Sequence, residues 1–297
     1  MDLDQLEKRL RGHVETLAAA PRAPGSREHR RAADYIRDHL QQCDFAVREA
    51  VHREGEMSCT NLLTEPLSGR PELPLVIIGA HYDSVPGSPG ADDNASAVAA
   101  LLELARWVGP RLQGNGAFQA RLQLAAYDLE EYGLVGSFLH SRQVQRAGAP
   151  LRGMVSLEML AYTDPQPGSQ RLPPHLAGHY PDVANFIGVV GNEVSGGLLQ
   201  VVTEGLKKVG DLPVEFLAVP GNGEVLYETR LSDHASFWDR GFPGLMITDT
   251  SFFRNPHYHT ADDTPETLDY PFLARVTAGV CEAVDRLLQM EQLPSSG

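Results

Sequence analysis

The chain has 297 residues, 42% of them hydrophobic, enough for one large α/β domain or two modest ones. Its 39 Asp and Glu against 25 Lys and Arg give a formal net charge of −14. That balance argues against a nucleic-acid partner, because phosphate binding rests on basic patches.

The chain opens on "MDLDQLEKRLRGHVETLAAA", charged within its first residues and without the apolar core of a signal peptide. No later run is long enough to span a membrane. The expectation is a cytoplasmic enzyme, or a secreted one if a leader is missing from this chain. Leu3, Leu6, Leu10, Val14 and Leu17 recur at helical spacing and predict an amphipathic helix over 2–19. After the break "PRAPGS" a second helix carries Ala33, Ile36 and Leu40. Short apolar runs then predict strands over 72–81, 120–128, 153–159 and 242–250. Stretches with helical potential lie at 94–108, 133–146 and 193–208, and a last helix at about 271–290. Buried strands alternating with helices predict an α/β fold with a mainly parallel sheet and helices on both faces. The segment 162–181, with five prolines and no period, reads either as a functional rim or as a disordered loop. Cys43, Cys59 and Cys281 are odd in number and lack C-x-x-C spacing, so they read as ordinary thiols, with one disulfide at most and no zinc-thiolate site.

In open α/β sheets, ligands bind at the carboxyl ends of the strands. Here His81 and Asp83 follow the first of these runs, Glu130 and Glu131 the second, and Glu158 closes the third. His257 and His259 come from the loop after the fourth, and Asp92 and Asp93 open the helix after the first. Each has an ordinary structural explanation when taken alone. Asp93 could cap a helix, Glu130 and Glu131 could form a solvated turn, and His81 could be a satisfied core histidine. Together they would cost several kcal/mol for each unpaired charge withdrawn from water. Divalent cations remove that conflict. Histidines with several carboxylates and no thiolate suit zinc, with manganese or cobalt as substitutes. The donors outnumber the needs of one tetrahedral ion, so a carboxylate-bridged pair uses them more naturally.

The motifs "GAHYDS", "GADDNASAV", "DLEEYGLVGS", "LEM", "SDHASFW" and "HYHTADDT" resemble, in this order, those of the di-zinc aminopeptidases of peptidase family twenty-eight. That family includes bacterial leucine aminopeptidases and, as relatives, glutaminyl cyclases. The resemblance covers roughly residues 75–270. It implies one zinc-exopeptidase catalytic domain over 1–297 with a phosphorylase/hydrolase-like fold, a mostly parallel mixed sheet, N-terminal helices over 2–42 and specificity loops over about 160–230. It also implies two zinc ions and a peptide substrate with a free N-terminus. In this likeness His81 binds the first zinc and Asp83 fixes its tautomer, while Asp93 bridges both ions and Asp92 is no ligand. Glu158 completes the first zinc where many relatives have Asp, and Glu131 and His259 complete the second. Glu130 becomes the general base and Tyr258 a donor to the oxyanion. His257 is the less suited histidine, and Ser232, Asp233 and His234 take a structural or rim role. Water between the two ions would supply hydroxide near neutral pH. Three other readings stay open: a one-zinc glutaminyl cyclase, a carboxypeptidase using Arg171, Arg230 or Arg254, and a metal-free binding protein.

Overall fold

A computed structural model describes residues 1–54, 57–67, 70–113, 118–174 and 176–295. Helices α1 (Leu3–Leu17) and α2 (Arg27–Gln42) come first. Asp2 caps α1 by accepting from the Gln5 amide, and Ser26 caps α2 by accepting from His29. A hairpin of β1 (Val47–Glu54) and β2 (Met57–Thr64) leads to β3 (Leu75–His81) and α3 (Ala97–Gln113). Then follow β4 (Arg121–Tyr127), α4 (Val135–Ala147), β5 (Leu151–Glu158), β6 (Ile187–Asn192) and α5 (Gly196–Leu206). The chain continues through β7 (Val214–Val219), the single-turn α6 (Ala235–Trp238), β8 (Gly244–Thr248) and α7 (Tyr270–Gln289).

The strands form one sheet in the order β1-β2-β4-β3-β5-β8-β6-β7. Its centre is parallel: β3 pairs with β4 and β5, and β5 with β8. The pair β6–β7 is parallel too, whereas β1–β2, β2–β4 and β6–β8 run antiparallel. The expected mostly parallel mixed sheet is therefore present.

Alternate residues of a strand face opposite sides of a sheet, and here they sort into two cores. Val76, Ile78 and Ala80 join Leu122, Leu124 and Ala126 in the larger core, beneath α1, α2, α3, α5 and α7. Leu75 and Ile77 turn the other way, with Ala125, Tyr127 and Met154, against Val144 of α4 and Phe237 of α6. Helices thus cover both faces, as buried parallel strands require.

All the predicted strands and helices are found, with shifts of a few residues at their ends. Four strands, β1, β2, β6 and β7, were not anticipated. β1 is a polar edge strand, β6 is six residues long with two glycines, and β7 leaves Phe216 half-exposed. None presents a long apolar run or a sharp alternation, so long-range pairing defines them. The Pro-rich segment 162–181 is tied down among the described residues: Gln170 donates to Asp182 O and Arg171 to Phe253 O. The three cysteines are free thiols, and no described helix is long and apolar enough to cross a membrane.

Helices α5 and α7 meet at Gly205, where an added methyl would overlap the backbone of Ala283. Gly12 of α1 faces open space. Gly205→Ala should lower the unfolding free energy by about 1–3 kcal/mol through overpacking. Gly12→Ala should raise it by up to about 1 kcal/mol through helix propensity. Urea denaturation of both variants checks the pair, and similar midpoints would show that α5 and α7 are not in this close contact.

Candidate metal centre

The parallel register brings the chemistry together. His81 at the end of β3 sits beside Tyr127 at the end of β4, so Asp83 lies next to the turn that carries Glu130 and Glu131. Asp83 accepts from the Glu130 amide at 3.1 Å and from the Glu131 amide at 3.3 Å. Glu158 ends β5, in register with Thr248 of β8. The chain leaves β4, β5 and β8 through the left-handed residues Leu129 (φ 58), Met159 (φ 46) and Thr250 (φ 82). Non-glycine residues seldom adopt such angles, and their recurrence at functional turns fits strain held in place by surrounding structure.

Asp93 stands at the middle of the site. Its Oδ1 lies 3.2 Å from Nε2 of His81, and its Oδ2 lies 3.0 Å from Nε2 of His259. The same atom of His81 is 3.5 Å from Glu158 Oε1, and the same atom of His259 is 3.1 Å from Glu131 Oε2. Two donor sets result, His81–Glu158 and His259–Glu131, joined by the separate oxygens of one carboxylate. Glu130 is 3.9 Å from His81 Nε2 and stands outside both pairs. Asp83 is 3.5 Å from His81 Nδ1, on the opposite side of the ring. Tyr258 stacks on His259 with ring centroids 3.7 Å apart. His257 packs instead toward Tyr162, at 6.0 Å.

These residues fit a metal ion. Both ring nitrogens of buried His81, and Oε1 of Glu131, find no hydrogen-bond partner among the described residues. Ligand atoms of His81, Asp93 and Glu131, and of His81, Glu130 and Glu158, lie within 4.8 Å of one another. Such orphaned donors in a buried site are otherwise rare. The electrostatics point the same way. Burial pushes the Glu130 carboxyl well above its ordinary pKa, and burial beside Asp93 raises Glu131 to about 7. Burial opposes protonation of His259, but Asp93 and Glu131 override it and lift its pKa to about 10. Burial likewise opposes a charged His81, yet Glu130 and Glu158 hold its pKa well above the usual value. The carboxylates thus draw positive charge from any group within reach.

Other residues hold this arrangement in place, and sequence reasoning gave them no role or a vaguer one. Asp263 accepts from the amides of Asp92 and Asp93 at 2.9 and 3.1 Å, fixing the turn that carries the central carboxylate. It is the last acidic residue of the "HTADD" run, and that repeat was the available signal. Asn94 donates to Leu157 O and accepts from the Met159 amide, fastening the same turn to the end of β5. Asp92 accepts from the Ala161 amide through Oδ1 and from the Asn255 side chain through Oδ2. Ser232 donates to Glu158 Oε2 at 2.7 Å, so its structural role is to hold that longer carboxylate. His234 is bonded to Thr229 O and no relay joins it to Asp233, both of whose carboxylate oxygens lack a partner among the described residues.

A cavity of about 440 Å³ opens onto Asp93, Glu130, Glu131, Glu158 and Tyr258. Its far walls are apolar, with Phe186, Val190, Phe216, Leu226, Met246 and Phe252 among them. Gln170, Leu172, Pro173, Leu176 and Tyr180 also line it, so the Pro-rich segment is a rim of this cavity.

The model of Peptidase family M28 matches residues 64–284. The chain is 35% identical to an uncharacterised Escherichia coli protein, YfbL, over 93% of its own length and 86% of that protein's. It is 30% identical to a probable leucine aminopeptidase of Arthroderma benhamiae, over 69% of this chain and 52% of that one. It spans about half the length of the fungal relatives it matches. Among solved structures, the LapA aminopeptidase of Legionella pneumophila superposes with a TM-score of 0.77 at 20% identity, covering 97% of this chain and 74% of that one. The zinc aminopeptidase BSAP of Bacillus subtilis gives 0.73 at 15% identity, covering 98% and 97%. A glutaminyl cyclase of Porphyromonas gingivalis gives 0.70 at 20% identity, covering 94% and 97%. At these identities the structures speak for the fold. The family match over most of the chain and the near full-length likeness to YfbL go further: this chain belongs to peptidase family M28.

Proposed function

We propose that the chain is an aminopeptidase that removes the N-terminal residue of peptides, with residues 1–297 acting as one catalytic domain and two zinc ions held on either side of Asp93. The observation that carries this reading is the position of Asp93, whose two oxygens each face a different histidine–glutamate pair. His81 and Glu158 would hold one ion and His259 and Glu131 the other, with Asp93 shared. Bound zinc supplies Lewis-acid polarisation of a carbonyl and lowers the pKa of water toward neutrality.

The remaining chemistry falls to the side chains around it. Glu130 takes the proton of the attacking water and passes it to the leaving amine. Asp83 anchors the amides of Glu130 and Glu131, which sets the carboxylate's position, and it faces Nδ1 of His81. Tyr258, held neutral by burial and the surrounding carboxylates, donates to the substrate oxygen as negative charge develops there. Glu131 Oε1, which has no hydrogen-bond partner among the described residues, can accept from the substrate's α-ammonium. The apolar cavity receives the N-terminal side chain.

Three observations weigh against the other readings. A carboxypeptidase needs a free cation for the substrate carboxylate, and the candidate arginines are engaged elsewhere. Arg230 pairs with Asp239 and Asn222 O, Arg171 donates to Phe252 O, and Arg254 bonds Gln170, Thr250 and Phe186 O. A one-zinc cyclase leaves His81 and Glu158 without a task. A metal-free binding protein leaves every donor position filled to no purpose.

Glu130→Gln should retain wild-type zinc content while turnover falls by about 10²–10⁴-fold. Metal analysis beside steady-state kinetics tests this, and an active variant would remove Glu130 as the base. The zinc-loaded protein should cleave leucyl-nitroanilide and leave N-acetyl-leucyl-nitroanilide intact. Cleavage of the acetylated compound at a similar rate would contradict recognition of a free amine.

A further inference from the structure

The sheet itself forms a floor to the cavity beside the metal centre, and its register decides which side chains stand there. Because β6 runs antiparallel to β8, the first residues of β6 and β7 lie beside the last residues of β5 and β8. Glu158 is in register with Thr248, Thr248 with Gly188 and Gly188 with Glu215, one residue from each of four neighbouring strands. Residues in register share one face of a sheet, so Glu215 points to the same side as the candidate metal ligand Glu158. All four residues line the cavity. Neighbouring strands lie about 4.8 Å apart, which sets the Glu215 backbone about 14 Å from that of Glu158.

The surface between these two glutamates is smooth and largely apolar. In their own row only Thr248 and Gly188 intervene, and the next row on the same face is Met246, Val190 and Leu217. Those three residues also line the cavity. A Cβ built on Gly188 would come within 3.3 Å of Thr248 O and 3.7 Å of Thr250 Cγ2, so the missing side chain keeps this stretch open. At its far end Glu215 is partly buried, and its carboxylate makes no hydrogen bond or ion pair with a described residue. Burial, and then the Glu215 charge, raise the Tyr180 phenol above its ordinary pKa, which sets this carboxylate beside the Pro-rich rim. Away from the metal centre, the other charged residues lining the cavity among those described are Glu228 and Arg230. Arg230 is taken up by Asp239 and Asn222 O, so the balance of charge at that end is negative.

We propose that this cavity selects peptides whose N-terminal residue is lysine or arginine, with the aliphatic stem over Thr248, Gly188 and the apolar row and the cationic head at Glu215. Long basic side chains commonly lie with the stem on apolar surface and the charge toward water. The inference rests on the aminopeptidase reading and adds to it a substrate class. Glu215 is a specificity residue in this account, remote from the reacting atoms, so its effect should fall on KM more than on kcat.

The test compares zinc-loaded wild type, Glu215→Gln and Glu215→Lys on the nitroanilides of lysine, arginine, norleucine, glutamate and leucine. Norleucine has the stem of lysine without the ammonium, so the lysine-to-norleucine ratio of kcat/KM reads the charge alone. Wild type should favour lysine over norleucine by about fivefold or more, the size of one partly exposed ion pair, and the gain should lie in KM. Glu215→Gln should bring that ratio close to one and leave the norleucine-to-leucine ratio as it was. Glu215→Lys should favour norleucine over lysine and raise the rate on glutamate relative to wild type. A wild-type ratio of one or below, or a ratio that both substitutions leave unchanged, would overturn the inference, and cleavage of leucyl-nitroanilide would then leave the aminopeptidase reading standing. Absence of cleavage of every substrate by wild type would overturn both.

Discussion

Everything in this structure is arranged around a concentration of buried negative charge. Asp93, Glu130, Glu131 and Glu158 converge where water is largely excluded, with only two imidazoles to answer them. A carboxylate removed from water without a partner costs several kcal/mol, and a cluster multiplies the cost. The raised pKa values of Glu130 and Glu131, and the high values of His81 and His259, express that imbalance. In the proposed function, divalent cations would resolve it.

The fold holds the cluster by making its supports rigid. Parallel pairing of β3, β4, β5 and β8 places three strand ends side by side, buried beneath helices on both faces. Second partners then fix the acidic residues or the turns that carry them. Asp263 grips the amides of Asp92 and Asp93, Asp83 grips those of Glu130 and Glu131, and Ser232 grips Glu158. Fixing ligands through outer partners is how proteins orient metal-binding groups. The extra methylene of Glu158 is accommodated with Oε2 on Ser232 and Oε1 turned toward His81.

Much of this was legible in the sequence, for a physical reason. Ligands gather at the ends of parallel strands, so His81, Asp83, Asp92, Asp93, Glu130, Glu131, Glu158, His257 and His259 stood out as acidic or imidazole residues beside apolar runs, and the family resemblance singled out His81, Asp93, Glu131, Glu158 and His259 among them as donors. Their convergence in space matches that expectation. Glu130 and Asp83 were legible by adjacency to those positions. What could not be read depends on partners far apart in the chain. Asp263 acts on the Asp93 amide 170 residues away, and the acidic run it belongs to does not say which amides it would hold. The strands β6 and β7 are short and define the apolar cavity only once paired with β8 and each other.

The central claim is that two metal ions share Asp93. The most direct measurement is an anomalous difference map, recorded at the zinc absorption edge, from crystals grown with zinc. The account predicts two peaks per chain, one beside His81 and Glu158 and one beside His259 and Glu131, both in contact with Asp93. A single peak, or two peaks of which only one touches Asp93, would contradict it.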